Sequence, residues 1–155
     1  MSTWSAHLNV SVNKKTMIRV ATEHDIDGII AIDHIAATEE TRRLHIREWV
    51  RRGCAIIVLD DKRVVGYAVL EYTFFSYGFI SMLIVQEAYR RKGIATALVK
   101  RLEETCNTAK LFTSTNESNA PMQAFMASMS YRPSGIVHNL DEGDPELFYF
   151  KRIQE

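Results

Sequence analysis

The chain has 155 residues, 46% of them hydrophobic and 25% charged, and its 19 Lys+Arg balance 19 Asp+Glu. That length fits about one domain, large enough to bury a core without metal or disulfide staples. Zero net charge argues against a non-specific nucleic-acid binder, which needs excess positive charge to displace counterions. No apolar run approaches the ~20 residues of a membrane span.

Residues 1–16 are polar and weakly patterned, and read as an N-terminal arm outside the packed domain of 17–155. They lack the basic region, apolar stretch and cleavage site of a signal peptide. Cys54 and Cys106 form neither a CxxC nor a metal-ligand spacing. They read as free thiols of a reducing compartment, so the expectation is a cytoplasmic protein with no bound metal.

Patterning starts at Met17, where Met17–Val20 reads as a first strand. Thr22-Glu23-His24-Asp25 has the form of a capping box, with Asp in the usual Glu position. Ile26, Ile29 and Ile30 follow at helical spacing and predict a helix over about 25–36. A second helix is expected over about 39–52, with Leu44, Ile46, Trp49 and Val50 on its apolar side and Gly53 as its stop. Arg42, Arg43, Arg47, Arg51 and Arg52 make it basic. A solvated face accounts for them better than a site for an acidic ligand.

Three strand-like runs come next: Cys54–Leu59, Val64 to about Phe75, and Phe79–Val85. The first two are joined by the turn-rich Asp60–Arg63, and Gly66 marks a bulge. A helix from about Gly93 to Cys106 has Ile94, Leu98, Leu102 and Cys106 on one stripe. Leu111–Thr115 is a strand, and Asn119 caps a helix bearing Met122, Phe125, Met126 and Met129. Gly135–Leu140 and Leu147–Ile153 close the chain as strands. The order β-α-α-β-β-β-α-β-α-β-β implies an α+β fold, a mixed and mostly antiparallel sheet with helices on both faces.

The chemistry concentrates between Ile80 and Leu98, where a buried strand runs through a basic loop into an amphipathic helix. The first turn of a helix carries unpartnered N–H groups and the positive end of the dipole, which suits a pyrophosphate. Gly93 and Ala95 leave room at the backbone, and Arg90, Arg91 and Lys92 add positive charge. A Walker loop and a GxGxxG fingerprint are both absent.

Arg90-Arg91-Lys92-Gly93-Ile94-Ala95 resembles the R/Q-x-x-G-x-G/A signature of the Gcn5-related N-acetyltransferases. Leu83-Ile84-Val85 sits where that family has its Leu-Ala-Val strand end, and Tyr89 precedes the Arg as it often does there. Asn119 falls at the family's CoA-side Asn, and Ser130-Tyr131 stands where Gly-Phe usually ends the last helix. The resemblance extends over about Ile18 to Ile153.

The resemblance implies an acetyl-CoA-dependent N-acetyltransferase that passes acetyl directly to a primary amine of a small molecule or peptide. Backbone N–H groups of Arg91–Thr96 would hold the pyrophosphate, with Arg90, Lys92, Gly93, Ile94 and Ala95 in the loop and helix start. Leu83, Ile84 and Val85 would line the pantetheine, Asn119 would shape its channel, and the N–H of Val85 would meet the thioester oxygen. An amine with a pKa near ~10.4 must lose a proton before attack.

The sequence departs from the family at both proton handlers. Met126 stands at the usual Tyr acid, and Phe79 at the site of a carboxylate base. Glu71 and Tyr149 are the substitutes nominated for those roles, ahead of His34 and His45 in the two-helix region. Without turnover, the same cofactor site would make an acyl-CoA-binding sensor. The segments 33–52, 72–78 and 138–147 are where acceptor choice is expected to reside. Tyr72, Phe74, Phe75 and Tyr77 suit either a homodimer contact or a substrate wall.

Overall fold

The computed structural model describes residues 16–155. The N-terminal arm therefore lies outside the described residues, except for Thr16, which already belongs to the first strand. The elements are β1 (Thr16–Val20), α1 (Ile26–Ile32), α2 (Glu40–Arg51), β2 (Ala55–Asp60), β3 (Arg63–Phe74), β4 (Tyr77–Val85), α3 (Ile94–Thr105), β5 (Lys110–Asn116), α4 (Ala120–Ser128), β6 (Arg132–Val137) and β7 (Glu146–Arg152). Their order is the expected one. The seven strands form one mixed sheet in the order β1-β2-β3-β4-β5-β7-β6. β4 and β5 run parallel, whereas the β1/β2, β2/β3, β5/β7 and β6/β7 pairs are antiparallel.

Local chemistry sets most of the boundaries. Asp25 accepts from the Thr22 N–H at 2.7 Å and from Thr22 Oγ1 at 3.1 Å, so the Asp version of the capping box holds the chain entering α1. Gly53 takes φ +72° after α2, and the N–H groups of Gly53 and Cys54 turn back to the carbonyls of Val50 and Trp49. Asp61 and Lys62 have φ of 48° and 67°, the left-handed pair of a two-residue hairpin turn. Val58 pairs with Gly66 but Leu59 with Val64, which leaves Val65 as a bulge next to the glycine that signals it.

Four expectations are corrected. α1 ends at Ile32 instead of 36, because Asp33 turns its carboxylate onto the N–H groups of Ile35 (3.1 Å) and Ala36 (3.2 Å). Leu44 is 56% exposed, so the buried side of α2 is Ile46, Trp49 and Val50 alone. β4 begins at Tyr77 instead of Phe79, because the turn before it falls on Phe75 and Ser76, both at positive φ (51° and 66°). β6 spans Arg132–Val137 instead of Gly135–Leu140. β6 is an edge strand, where Pro133 is tolerated and a bulge falls between Pro133 and Gly135.

The described residues gather into two compact units. One runs to Val69 and takes in Met82–Arg101; its core contains Ile29, Ile46, Trp49, Ile57, Tyr67 and Val69. The other comprises Leu70–Ser81 and Leu102–Glu155. It buries Leu102, Leu111, Met126, Tyr131 and Tyr149, stacks Phe74 on Phe148 and packs it at a tilt against Phe79 and Phe112. Ala55–Val58 and Val65–Leu70 are buried without alternation, as strands covered on both faces must be.

Candidate functional site

In the first unit, the end of β4, the basic loop and the start of α3 form one continuous device. The Gln86 N–H donates to the Val65 carbonyl at 2.8 Å, toward β3. Strand alternation then turns the backbone groups of Val85, and of Leu83 two residues earlier, to the opposite edge. Among the described residues, the pairing of β4 with β5 covers only Gly78–Ile80 against Leu111–Thr113. The rest of β4 therefore presents N–H and C=O groups that an extended ligand can pair with, as an added strand would.

The loop geometry favours an anion. Arg91 and Gly93 have φ of 62° and 81°, while Lys92 between them does not have positive φ. Such alternation of hand turns successive N–H groups inward as a nest. The first helical bond runs from the Ala97 N–H to the Gly93 carbonyl at 3.0 Å, so the N–H groups of Ile94, Ala95 and Thr96 precede the ladder. A Cβ at Gly93 would meet nothing within 4 Å, so the approach to this backbone is open.

Not every basic residue points at that anion. Arg90 Nε donates to the Val85 carbonyl at 3.2 Å and pins the loop to the strand end. Tyr89 is held from two sides, by Arg63 Nη2 on its hydroxyl at 3.3 Å and by Lys92 Nζ 5.1 Å from its ring centroid. Arg91 and Lys92 are exposed and supply the local positive charge.

The first unit also contains a buried cluster that sequence reasoning missed. Asp33, 1% exposed, accepts from Tyr67 Oη at 2.5 Å and from Arg42 Nη1 at 2.9 Å. Burial alone would push this carboxyl up, but the hydrogen bonds from Tyr67 and Arg42 prevail and hold it below its ordinary 3.8. Burial and the Asp33 carboxylate push the Tyr67 phenol far upward. The available signal was an Asp inside an apolar periodic run. His34 is exposed in the turn after α1, and His45 is exposed on α2 with its ring 5.6 Å from that of Trp49.

The remaining nominated residues lie in the second unit. Glu71, half-buried on β3, accepts a hydrogen bond from Ser81 Oγ on β4. Tyr149 is 7% exposed and faces Thr113 in register on β5. Asn119 caps α4 by accepting from the Met122 N–H at 3.2 Å. Met126 is fully buried on the same helix. Ser130 takes φ +70°, which accounts for the glycine usual at that point of the motif.

Residues 24–131 match the model of the Acetyltransferase (GNAT) family. A crystallised GNAT-family acetyltransferase from Bacillus cereus superposes with a TM-score of 0.82 at 35% identity, over 88% of this chain and 96% of that one. An N-alpha-acetyltransferase of Saccharolobus solfataricus is 29% identical over 140 residues, 77% of this chain and 82% of that protein. The yncA protein of Salmonella typhimurium, solved with its cofactor acetyl-CoA, shares the fold with a TM-score of 0.73 at 17% identity, over 92% of this chain and 96% of that one.

Proposed function

Because the chain belongs to the GNAT family and is an acetyl-CoA-dependent acetyltransferase, we propose that its acceptor is a primary amine, and first among amines the α-amine of a peptide. The observation that carries the acetyl-CoA half of this reading is the loop from Arg90 to Thr96, which combines left-handed residues at Arg91 and Gly93, a free helix start and exposed cations. The name of the archaeal relative supports the α-amine over an amine of a small molecule.

The residues fit the donor. Arg91–Thr96 would hold its pyrophosphate through backbone N–H groups, and Leu83–Val85 its extended arm. When bound, acetyl-CoA supplies an acetyl group activated as a thioester. The chain then has three tasks. The N–H of Val85, turned to the edge away from β3, would donate to a developing oxyanion, which is worth about 3–4 kcal/mol in well-formed sites. A base must take the amine proton, and Glu71 is the candidate, with Tyr149 as the candidate donor or positioning phenol. Water must be kept from the thioester.

The test is calorimetric titration of the protein with acetyl-CoA, followed by thiol release on adding peptides with free or blocked N-termini. Saturable binding with release that depends on a free α-amine is the expected result. Release with small amines alone would move the acceptor to that class. Binding without release from any amine would leave the acyl-CoA sensor as the better reading.

A further inference from the structure

The peptide group between Val85 and Gln86 is held at both ends. Its N–H, on Gln86, donates to the Val65 carbonyl at 2.8 Å. The C=O and N–H of a trans peptide point opposite ways, so the Val85 carbonyl faces the edge away from β3. Arg90 Nε reaches it there at 3.2 Å. The loop between them is closed on itself, with the Tyr89 N–H on the Gln86 carbonyl at 2.8 Å and the Arg90 N–H on the Glu87 carbonyl at 3.2 Å. Gly66 backs the strand end from β3: a Cβ there would lie 3.2 Å from the Ile84 carbonyl and 3.2 Å from Ile94 Cγ2. Strand end, loop and helix start therefore form one frame, all of it within the first unit.

We propose that Arg90 is a positioning residue for the Val85 N–H, the donor to the developing oxyanion, and that its charge is not what the site uses. In an extended strand the N–H and C=O of one residue face the same side. Holding the Val85 carbonyl thus holds the Val85 N–H beside it, and ties that donor to the loop that continues into Arg91–Thr96. The donor acts on the thioester only at the right separation from the pyrophosphate cradle, and a misplacement of about 1 Å can cost about 100-fold in rate. The contact to the carbonyl needs an N–H at the ε position and no charge. Arg91 and Lys92, both exposed, already supply cations beside the loop. This inference rests on the acetyltransferase reading above, and gives Arg90 a role in turnover where its charge suggests one in binding.

Side-chain chemistry separates the donor from the charge. Gln carries Nε2 as many bonds from Cα as Arg carries Nε, so Arg90→Gln keeps the donor and drops the charge. Arg90→Lys keeps the charge but has carbon at the ε position, and Arg90→Met has neither. For each variant, kcat and KM are measured with acetyl-CoA and a peptide bearing a free α-amine, with acetyl-CoA affinity by calorimetry at low and high salt. The Val85 amide resonance is followed in 15N-labelled protein without ligand, and melting temperature is recorded. Arg90→Gln should keep kcat within about threefold of the parent chain, with the Val85 resonance in place. Arg90→Lys and Arg90→Met should lower kcat by about 10-fold or more, with the Val85 resonance displaced. Acetyl-CoA affinity should stay within about threefold in all three, with its salt dependence unchanged. Arg90 is exposed, so losing its bond should lower the melting temperature by about 4 °C or less. Full kcat in Arg90→Met would make the bond a local staple and overturns the proposal. An Arg90→Gln variant no faster than Arg90→Lys, or one with weakened and less salt-sensitive acetyl-CoA binding, would make Arg90 a cation for the pyrophosphate and also overturns it. Both outcomes leave the enzyme assignment standing. No turnover by the unaltered chain with any amine overturns the underlying reading, and this inference with it.

Discussion

Tyr67 Oη donates to Asp33 Oδ2 at 2.5 Å across a separation of 34 residues, tying the turn after α1 to the middle of β3. The same carboxylate receives Arg42 from α2 and two backbone N–H groups from its own turn. One buried anion thus fixes three elements, and its satisfaction explains why a charge is tolerated at 1% exposure.

Removing one donor should cost more than a surface hydrogen bond. Tyr67→Phe leaves the buried carboxylate short of a partner, for an expected loss of about 1–3 kcal/mol. Asp33→Ala strands Arg42 as well, and the expected loss rises to about 3–5 kcal/mol. Urea unfolding of the two variants gives the ordering. Equal stability of Tyr67→Phe and the parent chain would contradict the cluster's role.

The same groups set the pH limits of stability. Asp33 and Asp25 are held below their ordinary 3.8, Asp25 chiefly by its hydrogen bond with Arg19, so the unfolded chain binds more protons in acid. Their contribution is complete above 3.8 and is lost as pH falls through the folded values. Tyr67 and Tyr131 are pushed above their ordinary 10.0, mainly by burial, so their contribution is complete below 10.0 and is lost as pH rises further. Melting temperature against pH should fall away below about 4 and above about 10. In Asp33→Asn the acid limb should be shallower, and in Tyr67→Phe the alkaline limb.

Gly93 tests the anion site. Its φ of 81° is left-handed, and a Cβ there meets no neighbouring atom within 4 Å. Gly93→Ala should therefore cost only the left-handed backbone term, about 1–2 kcal/mol, with a modest fall in acetyl-CoA affinity. Gly93→Trp pays the same backbone term but places an indole over the nest. Its melting temperature should match that of the Ala variant while acetyl-CoA binding disappears. Calorimetry showing equal affinity in the two variants would remove the pyrophosphate from this loop.

Much of this loop was legible from sequence, because a strand, a cationic turn, a glycine and an amphipathic helix each have a local signature. The Asp25 capping box, the Gly53 stop and the Asn119 cap were legible for the same reason: each is decided within four residues. What stayed hidden was non-local. Neither the spacing of Asp33, Arg42 and Tyr67 nor that of Glu71 and Ser81 suggests a contact, since each pair meets only once the strands and helices have packed. The start of β6 differs from Gly135 because Pro133, which a central strand would exclude, is admissible at an edge. The exposure of Leu44 was misread because a helix of mixed pattern does not declare which apolar residue falls outside its buried side.

Ser130 occupies φ +70° at the end of α4, with its N–H on the Ala127 carbonyl and that of Tyr131 on Met126. This is the turn in which glycine removes the Cβ penalty. Ser130→Gly should stabilise the chain by about 1 kcal/mol, seen as a raised urea midpoint with an unchanged slope. Acetylation rates at 25 °C should stay within twofold, since Ser130 supplies no side-chain hydrogen bond among those described.

Met126 raises the opposite case, a position where the residue expected for chemistry does not fit the packing. It is 1% exposed on α4, and its carbonyl accepts from the Tyr131 N–H at 3.0 Å. Tyrosine there would need extra volume and a partner for its hydroxyl in a filled core. The expected cost of Met126→Tyr is about 1–3 kcal/mol from overpacking, plus the burial of a hydroxyl if it finds no acceptor. Met126→Leu, of similar volume, should cost less than about 1.5 kcal/mol. If proton delivery to the departing thiolate depends on solvent in this chain, Met126→Tyr should lower the melting temperature without raising kcat. A variant that instead gained rate at full stability would mean that the phenol reaches the sulfur, and that Met126 is the residue limiting turnover.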